Sequence, residues 1–257
     1  MGVCSRREAS RAILQGRVRV DGSVQRDPAL PISMGSVHLA VDDQEVRPLA
    51  SVVIAFHKPR GVVTTRVERS GRLTVYDVLG DVGAWVFPVG RLDRDTSGLL
   101  IFTNDHTIGE RLTNPQQHLP KTYHARVRGT MLPDALGVLC GGVALPDGST
   151  TRPAEARVLG QCRDGTSWVE IIVTEGRNRQ VRRMCSIVGH DVVDLVRVRI
   201  GGLSLSELPP GQWRQLSSPE VERLCGDALA SGSHNDRAST MAPTPPGSVR
   251  GWAPREG

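Results

Sequence analysis

One stretch of the 257-residue sequence crowds reactive side chains together: VGRLDRDTSGLLIFTNDH, residues 89–106. Asp93 and Asp95 alternate with Arg91 and Arg94, and Thr96, Ser97 and Gly98 follow. An aspartate can be a nucleophile, a general base, a metal ligand or a turn former. Paired-carboxylate hydrolysis needs a second acid at a partner site, and no convincing one accompanies this pair. No histidine or acidic cluster at ligand spacing stands beside it, so neither a metal nor a cofactor is expected. Residue type and spacing leave each aspartate as readily a turn residue as a reactive one.

A second constellation is TEGRNRQVRRMCSIVGH, residues 174–190. Asn178 is placed to cap a helix. Arg179, Arg182 and Arg183, at i, i+3 and i+4, then share one side of it. Such a row is either a solvated face or a set of forks for carboxylates and phosphates. Arg197 and Arg199 fall on one face of a strand. Lysine is nearly absent: Lys58 and Lys121 are the only two, in a chain with 32 basic residues. Where arginine serves everywhere else, a retained lysine suggests a need for a compact ammonium.

The elements that must position these groups can be read from pattern. Residues 1–47 form a small basic module. Ser5 and Glu8 have capping-box spacing, Ala9, Ala12 and Ile13 share a face, Arg7 and Arg11 lie opposite, and an Asp21-Gly22 turn joins two short strands. From about residue 51 many strand-like runs alternate with few helices, expected near 105–113, 133–139 and 178–188. This is an α+β pattern with a mainly antiparallel sheet and flanking helices. A last helix from about residue 217 closes a second domain at 51–229. Residues 230–257 read as a disordered tail rich in Ser, Pro, Gly and Ala. The net charge of +5 and pI of about 9.3 favour a polyanionic partner. Five scattered cysteines suit a reducing cytoplasm, and no apolar run is long enough to span a bilayer.

The blocks HKPRGVVTT, GRLTVYDVL, GRLDRDTSGLLIFTND, KTYHARVRG, EGRNRQVRRM and VRVRIGGLSLSELPPGQWRQL together resemble, in order, RNA pseudouridine synthases of the RsuA type, which modify ribosomal RNA. SRREASRAILQGRVRVDG resembles the S4 RNA-binding domain fused in front of them. The resemblance covers about residues 2–216. It implies cofactor-free isomerisation of uridine to pseudouridine in ribosomal RNA, with a lean towards the large subunit, by a monomer acting on a flipped base. It also implies Asp93 as the catalytic aspartate, Tyr123 against the target base, and Arg182 paired with the catalytic carboxylate. An arginine within hydrogen-bond reach keeps such a carboxylate ionised. Arg7, Arg11, Lys58, Arg91, Arg94, Lys121, Arg179 and Arg183 are then candidate RNA contacts, and Asp95 shapes the loop. The alternative is a non-catalytic S4-type RNA-binding or ribosome-assembly factor. Two departures stand out. The S4-like module lacks its usual first helix, so Ala9, Ala12 and Ile13 are expected to be poorly covered. His106 stands where glycine is usual.

Overall fold

The computed structural model describes residue 4 and residues 6–32, 37–46 and 50–226. The expected tail at 230–257 lies outside the described residues.

Helix α1 (Arg6–Leu14) buries Ala12, leaves Ala9 and Ile13 half-buried, and exposes Arg7 and Arg11. Gly16, at φ +72°, takes the left-handed conformation that stops it. Strands β1 (Val18–Val20), β2 (Ser23–Gln25), β3 (Leu39–Val41) and β4 (Gln44–Glu45) form an antiparallel sheet in the order β2-β1-β3-β4. Asp21 and Gly22 both have positive φ, as a two-residue hairpin of primed type requires. An open apolar groove of about 270 Å³ remains over Ala9, Ala12, Ile13, Val18 and Leu39, with Trp85 at its edge.

The larger unit comprises β5 (Val53–Lys58), α2 (Val75–Leu79), β6 (Phe87–Val89), β7 (Ser97–Thr103), α3 (His106–Thr113), β8 (Lys121–Arg128), α4 (Pro133–Gly141), β9 (Glu155–Gln161), β10 (Thr166–Val173), α5 (Gln180–Ile187), β11 (Val192–Ile200), β12 (Leu203–Ser204), β13 (Trp213–Gln215) and α6 (Ser218–Gly226). The sheet runs β13-β5-β7-β11-β8-β10-β9, with β6 also on β7 and β12 on β11. Every pairing but β7–β11 is antiparallel, as the α+β reading expects. Helix α3 begins at His106, whose ring stacks on Phe87 at 4.7 Å, so the departure from glycine is absorbed by a packing contact. No helix among the described residues is long and apolar enough to cross a membrane.

Strand β7 is apolar on both faces because both are covered. Leu99 and Ile101 join Leu112, Leu203 and Leu224 on one side, while Leu100 and Phe102 join Phe56 and Val75 on the other. A third cluster lies where β8, β10 and β11 pack against α4 and α5. Strand β7 also carries a fork. Its first residues pair with β11, Ser97 with Val196 and Gly98 with Arg197, whereas Ile101 to Thr103 pair with β6. At the fork, Arg197 Nε donates to the Leu99 carbonyl at 2.8 Å. Gly98 permits the close approach: a Cβ there would lie 2.3 Å from the Arg197 carbonyl oxygen, at φ +110°.

Candidate active site

The aspartate-bearing segment links β6 to β7, and its backbone is pinned from below. The Thr96 amide donates to the Asp93 carbonyl at 3.1 Å, closing a turn over Arg94 and Asp95. Thr64 Oγ1 donates to the Leu92 carbonyl at 2.8 Å, and the Gly61 amide to the Arg94 carbonyl at 2.7 Å. Lys58 is completely buried. Its ammonium donates to the carbonyls of Thr96 at 2.8 Å, Pro59 at 2.9 Å and Arg94 at 3.4 Å. Burial lowers the Lys58 pKa to about 8, while the charges of Asp93 and Asp95 pull it up and Arg197 pushes it down. Lys58 is therefore not positioned to meet RNA, contrary to expectation. Three carbonyls converging on one point suit three donors from a single nitrogen, which a planar guanidinium cannot supply.

Asp93 itself is half-buried and faces a cleft of about 400 Å³ lined also by Arg91, Tyr123, Gly176, Arg179 and Leu195. Asp93 and Tyr123, far apart in sequence, thus meet in one cleft. Arg182 does not complete the trio as expected. Among the described residues the cation within ion-pair distance of Asp93 is Arg179, its Nη1 3.8 Å from Asp93 Oδ2. Arg182 Nη2 donates instead to the Asp95 carbonyl at 2.8 Å and Nη1 to the Val192 carbonyl at 3.0 Å, tying the loop to β11. Its Nε is buried with no acceptor among the described residues. Desolvation and the nearby Arg179 lower the Arg182 pKa, and the charges of Asp95 and Asp93 oppose them. Arg182 thus adds positive potential near Asp93 while bonding the backbone two residues on. Among the described residues the Asp95 carboxylate accepts only a 3.3 Å contact, from Arg94 Nε, besides the bond its carbonyl accepts from Arg182.

The turn from β10 into α5 explains the exchange. Asn178 does not cap the helix. Arg179 occupies the cap position at φ +48° with no capping side chain, outside the helical array. The entry is built by Glu175, whose carboxylate accepts from the Arg152 amide at 3.0 Å, Arg177 Nε at 3.0 Å and Gln180 Nε2 at 2.6 Å. The three arginines therefore do not share a face: Arg179 leans over Asp93, Arg182 turns inward, and Arg183 pairs with Asp147 at 2.8 Å.

Of the other expected contact residues, Arg91 and Arg94 are exposed beside the cleft. Lys121 is half-buried, donating to the Leu119 carbonyl at 2.9 Å, and burial with the nearby Arg197 charge lowers its pKa to about 8. Arg197 and Arg199 also part company. A bulge sets Arg197 opposite Tyr123 but Arg199 opposite Thr122, so the first is buried at the site and the second exposed on the other face. Residue-by-residue reading did not pick out Arg197, Arg177 or Glu175 as site residues. For Arg197 the available signal was its place, with Arg199, in the alternating run VRVRI. Among the described residues no group of acidic, histidine or cysteine side chains could hold a metal.

The chain as a whole is similar to known proteins. A sequence model described as RNA pseudouridylate synthase covers residues 52–187, and one for the S4 domain covers residues 1–38. The chain is 38% identical to a ribosomal large subunit pseudouridine synthase B of Bacillus subtilis, over 87% of this chain and 91% of that one. It is 39% identical to the protein of the same description from Yersinia pestis, over 82% and 68%. A crystal structure of a pseudouridylate synthase superposes with a TM-score of 0.62 at 28% identity, covering 87% of this chain and 95% of that one. With the catalytic-domain model spanning over half its length and close relatives covering most of it, the chain belongs to the RNA pseudouridylate synthase family.

Proposed function

We propose that this protein converts a specific uridine to pseudouridine in ribosomal RNA, in the large-subunit RNA by its similarity to relatives of that description. The observation that carries the reading is the meeting of Asp93 and Tyr123 in one cationic cleft. In the reaction the N1–C1′ bond breaks with its electron pair leaving on N1. The uracil turns, C5 bonds to C1′, and C5 gives up its proton while N1 takes one up, so the product is an isomer of the starting nucleoside. Asp93 acts on the ribose–base unit. Arg179, and Arg182 through space, offset its charge. Tyr123 stacks on the flipped base, a contact worth about 1–3 kcal/mol.

Exposed Arg91 and Arg94 take phosphates beside the cleft, and exposed Arg7 and Arg11 of α1 take more distant ones. Isomerisation needs no redox partner, so no cofactor is invoked. We read the protein as a monomer, and a ribosomal substrate implies action in the cytoplasm. We take residues 1–47 as the RNA-docking module and 51–229 as the catalytic domain.

The test is to map pseudouridine in ribosomal RNA from cells lacking the gene, complemented with wild type or Asp93→Asn. One site should vanish, return with wild type and stay absent with the variant. Return with both would favour the non-catalytic alternative.

A further inference from the structure

Beyond Tyr123 the cleft continues into a second pocket of about 260 Å³, set in the fork where β6 and β11 separate along β7. Its walls are of two kinds. Val89, Ile101, Leu112 and Ile200 are apolar, and Lys121 and Arg197 are cationic. Arg91, Tyr123 and Arg177 line both chambers, so the two are continuous. Only the first is lined by Asp93.

Arg197 is the unusual member. It is 4% exposed, yet no carboxylate lies within ion-pair distance of it among the described residues. Its Nε holds the Leu99 carbonyl, its Nη1 lies a long 3.5 Å from the Tyr123 hydroxyl, and its Nη2 is buried with no acceptor among the described residues. Lys121 likewise has no acidic partner among the described residues; its ammonium donates to the Leu119 carbonyl. A buried guanidinium with a spare donor and an unpaired cation beside it is costly unless an anion or a strong acceptor arrives. The apolar walls argue against a phosphate, which keeps its hydration, and for a flat ring with charge at its edge.

We propose that this fork pocket receives the uracil after its bond to the ribose has broken, and that Arg197, aided by Lys121, holds the negative charge the ring then carries. The inference rests on the pseudouridine synthase reading. The electron pair of the N1–C1′ bond stays on N1 and spreads onto O2 and O4. No proton or oxidant is needed at this step, so the ring departs as an anion. A preorganised donor aimed at such developing charge in a water-poor site accelerates reaction. The ring must also turn without escaping, and a second chamber behind Tyr123 gives it space and an electrostatic tether. Arg197 would then touch the reacting ring itself.

The experiment compares two transcripts of the large-subunit RNA, one made with uridine and one with 5-fluorouridine. Fluorine withdraws electrons and stabilises the ring anion, so less help is required from the protein. Single-turnover loss of the N1-linked nucleoside is measured for wild type, Arg197→Met and Lys121→Met, because a C5 that carries fluorine has no proton to give up and its rearranged ring takes up water across the N1–C6 bond instead. Arg197→Met should slow uridine by about 10²–10³-fold, the usual loss of one preorganised donor. It should slow 5-fluorouridine by at least tenfold less. Lys121→Met should show the same asymmetry at smaller size. Equal slowing of both transcripts by both variants overturns the proposal, since misplacement of Tyr123 or the fork would not sense the leaving ring. If Arg197→Met does not fold, Lys121→Met with Arg197→Lys decides by the same comparison. Failure of the wild type on the uridine transcript and on ribosomal particles would instead strike the parent reading.

Discussion

Lys58→Met separates what the aspartate loop needs from what the fold needs. Taking the ammonium from water draws its pKa from the ordinary 10.5 to about 8, a gap worth about 3 kcal/mol. Folding at neutral pH bears that cost to keep a charge under the loop. Methionine removes the cost and fills similar space. It also strands the Pro59 and Thr96 carbonyls, bonded at 2.9 and 2.8 Å, at about 1–2 kcal/mol each. The terms nearly cancel. Because 1 kcal/mol moves Tm by about 2–4 °C at this size, the variant should melt within about 4 °C of wild type by calorimetry. Its single-turnover rate should fall about 10²-fold, since a loop displaced by about 1 Å mispresents Asp93.

A pH series sharpens the test. Between about 8 and 10.5 the unfolded state holds the Lys58 proton and the folded state does not. Stability therefore rises with pH across that window, by up to about 1.4 kcal/mol per pH unit for this group. Lys121, also near 8, adds a rise of the same sign that survives in the variant. Activity should decline over the range in which Lys58 loses its charge. A variant that melts more than about 10 °C lower, that keeps wild-type activity, or whose stability follows pH as wild type does would refute the reasoning.

Other consequences are separable. Arg179→Gln should leave stability within about 1 kcal/mol, because its pair with Asp93 is half-exposed, yet reduce single-turnover rate. Arg182→Gln should cost about 2–4 kcal/mol in urea denaturation, from the stranded carbonyls of Asp95 and Val192. Gly98→Ala should cost at least about 3–5 kcal/mol or prevent folding, since the new Cβ meets the Arg197 backbone. Low expression of soluble protein or a steep fall in Tm would report it. Cys185, buried and with its thiol pushed up to about 12 by desolvation, should resist iodoacetamide in the native state, whereas exposed Cys140 reacts. Peptide mapping before and after unfolding reads the difference.

The sequence was most legible where chemistry and periodicity are local. The strand–loop–strand around Asp93, the strand carrying Tyr123, α3 and α4, and the antiparallel character all follow from short patterns. Helix α2 was missed, although Thr74 and Asp77 form a complete capping box, because five residues are too few to display a helical period. The misread residues share a different cause. Helical spacing groups Arg179 with Arg182 and Arg183 only if all three are helical, and one positive φ at Arg179 removes it from the set. Alternation groups Arg197 with Arg199 only if β11 is regular, and one bulge divides them. Lys58 reads as a free cation until β5 is laid against β7 and the loop closes over it.

These irregularities all lie where the chain departs from its repeat to aim a side chain. A regular start to α5 would not give Arg179 the extra turn that carries it over Asp93, and a regular β11 would send Arg197 and Arg199 to the same side. Periodicity therefore finds the scaffold and loses the site for one reason: the site is made of the exceptions. Bulges and left-handed residues cost stability, and such costs gather where function requires a direction that regular structure does not offer. The separation of Asp93 from Asp95 follows the same logic. Both are loop carboxylates by composition. One turn of backbone, fixed through the carbonyls of residues 92, 94, 95 and 96, points the first into the cleft and leaves the second as a backbone acceptor for Arg182.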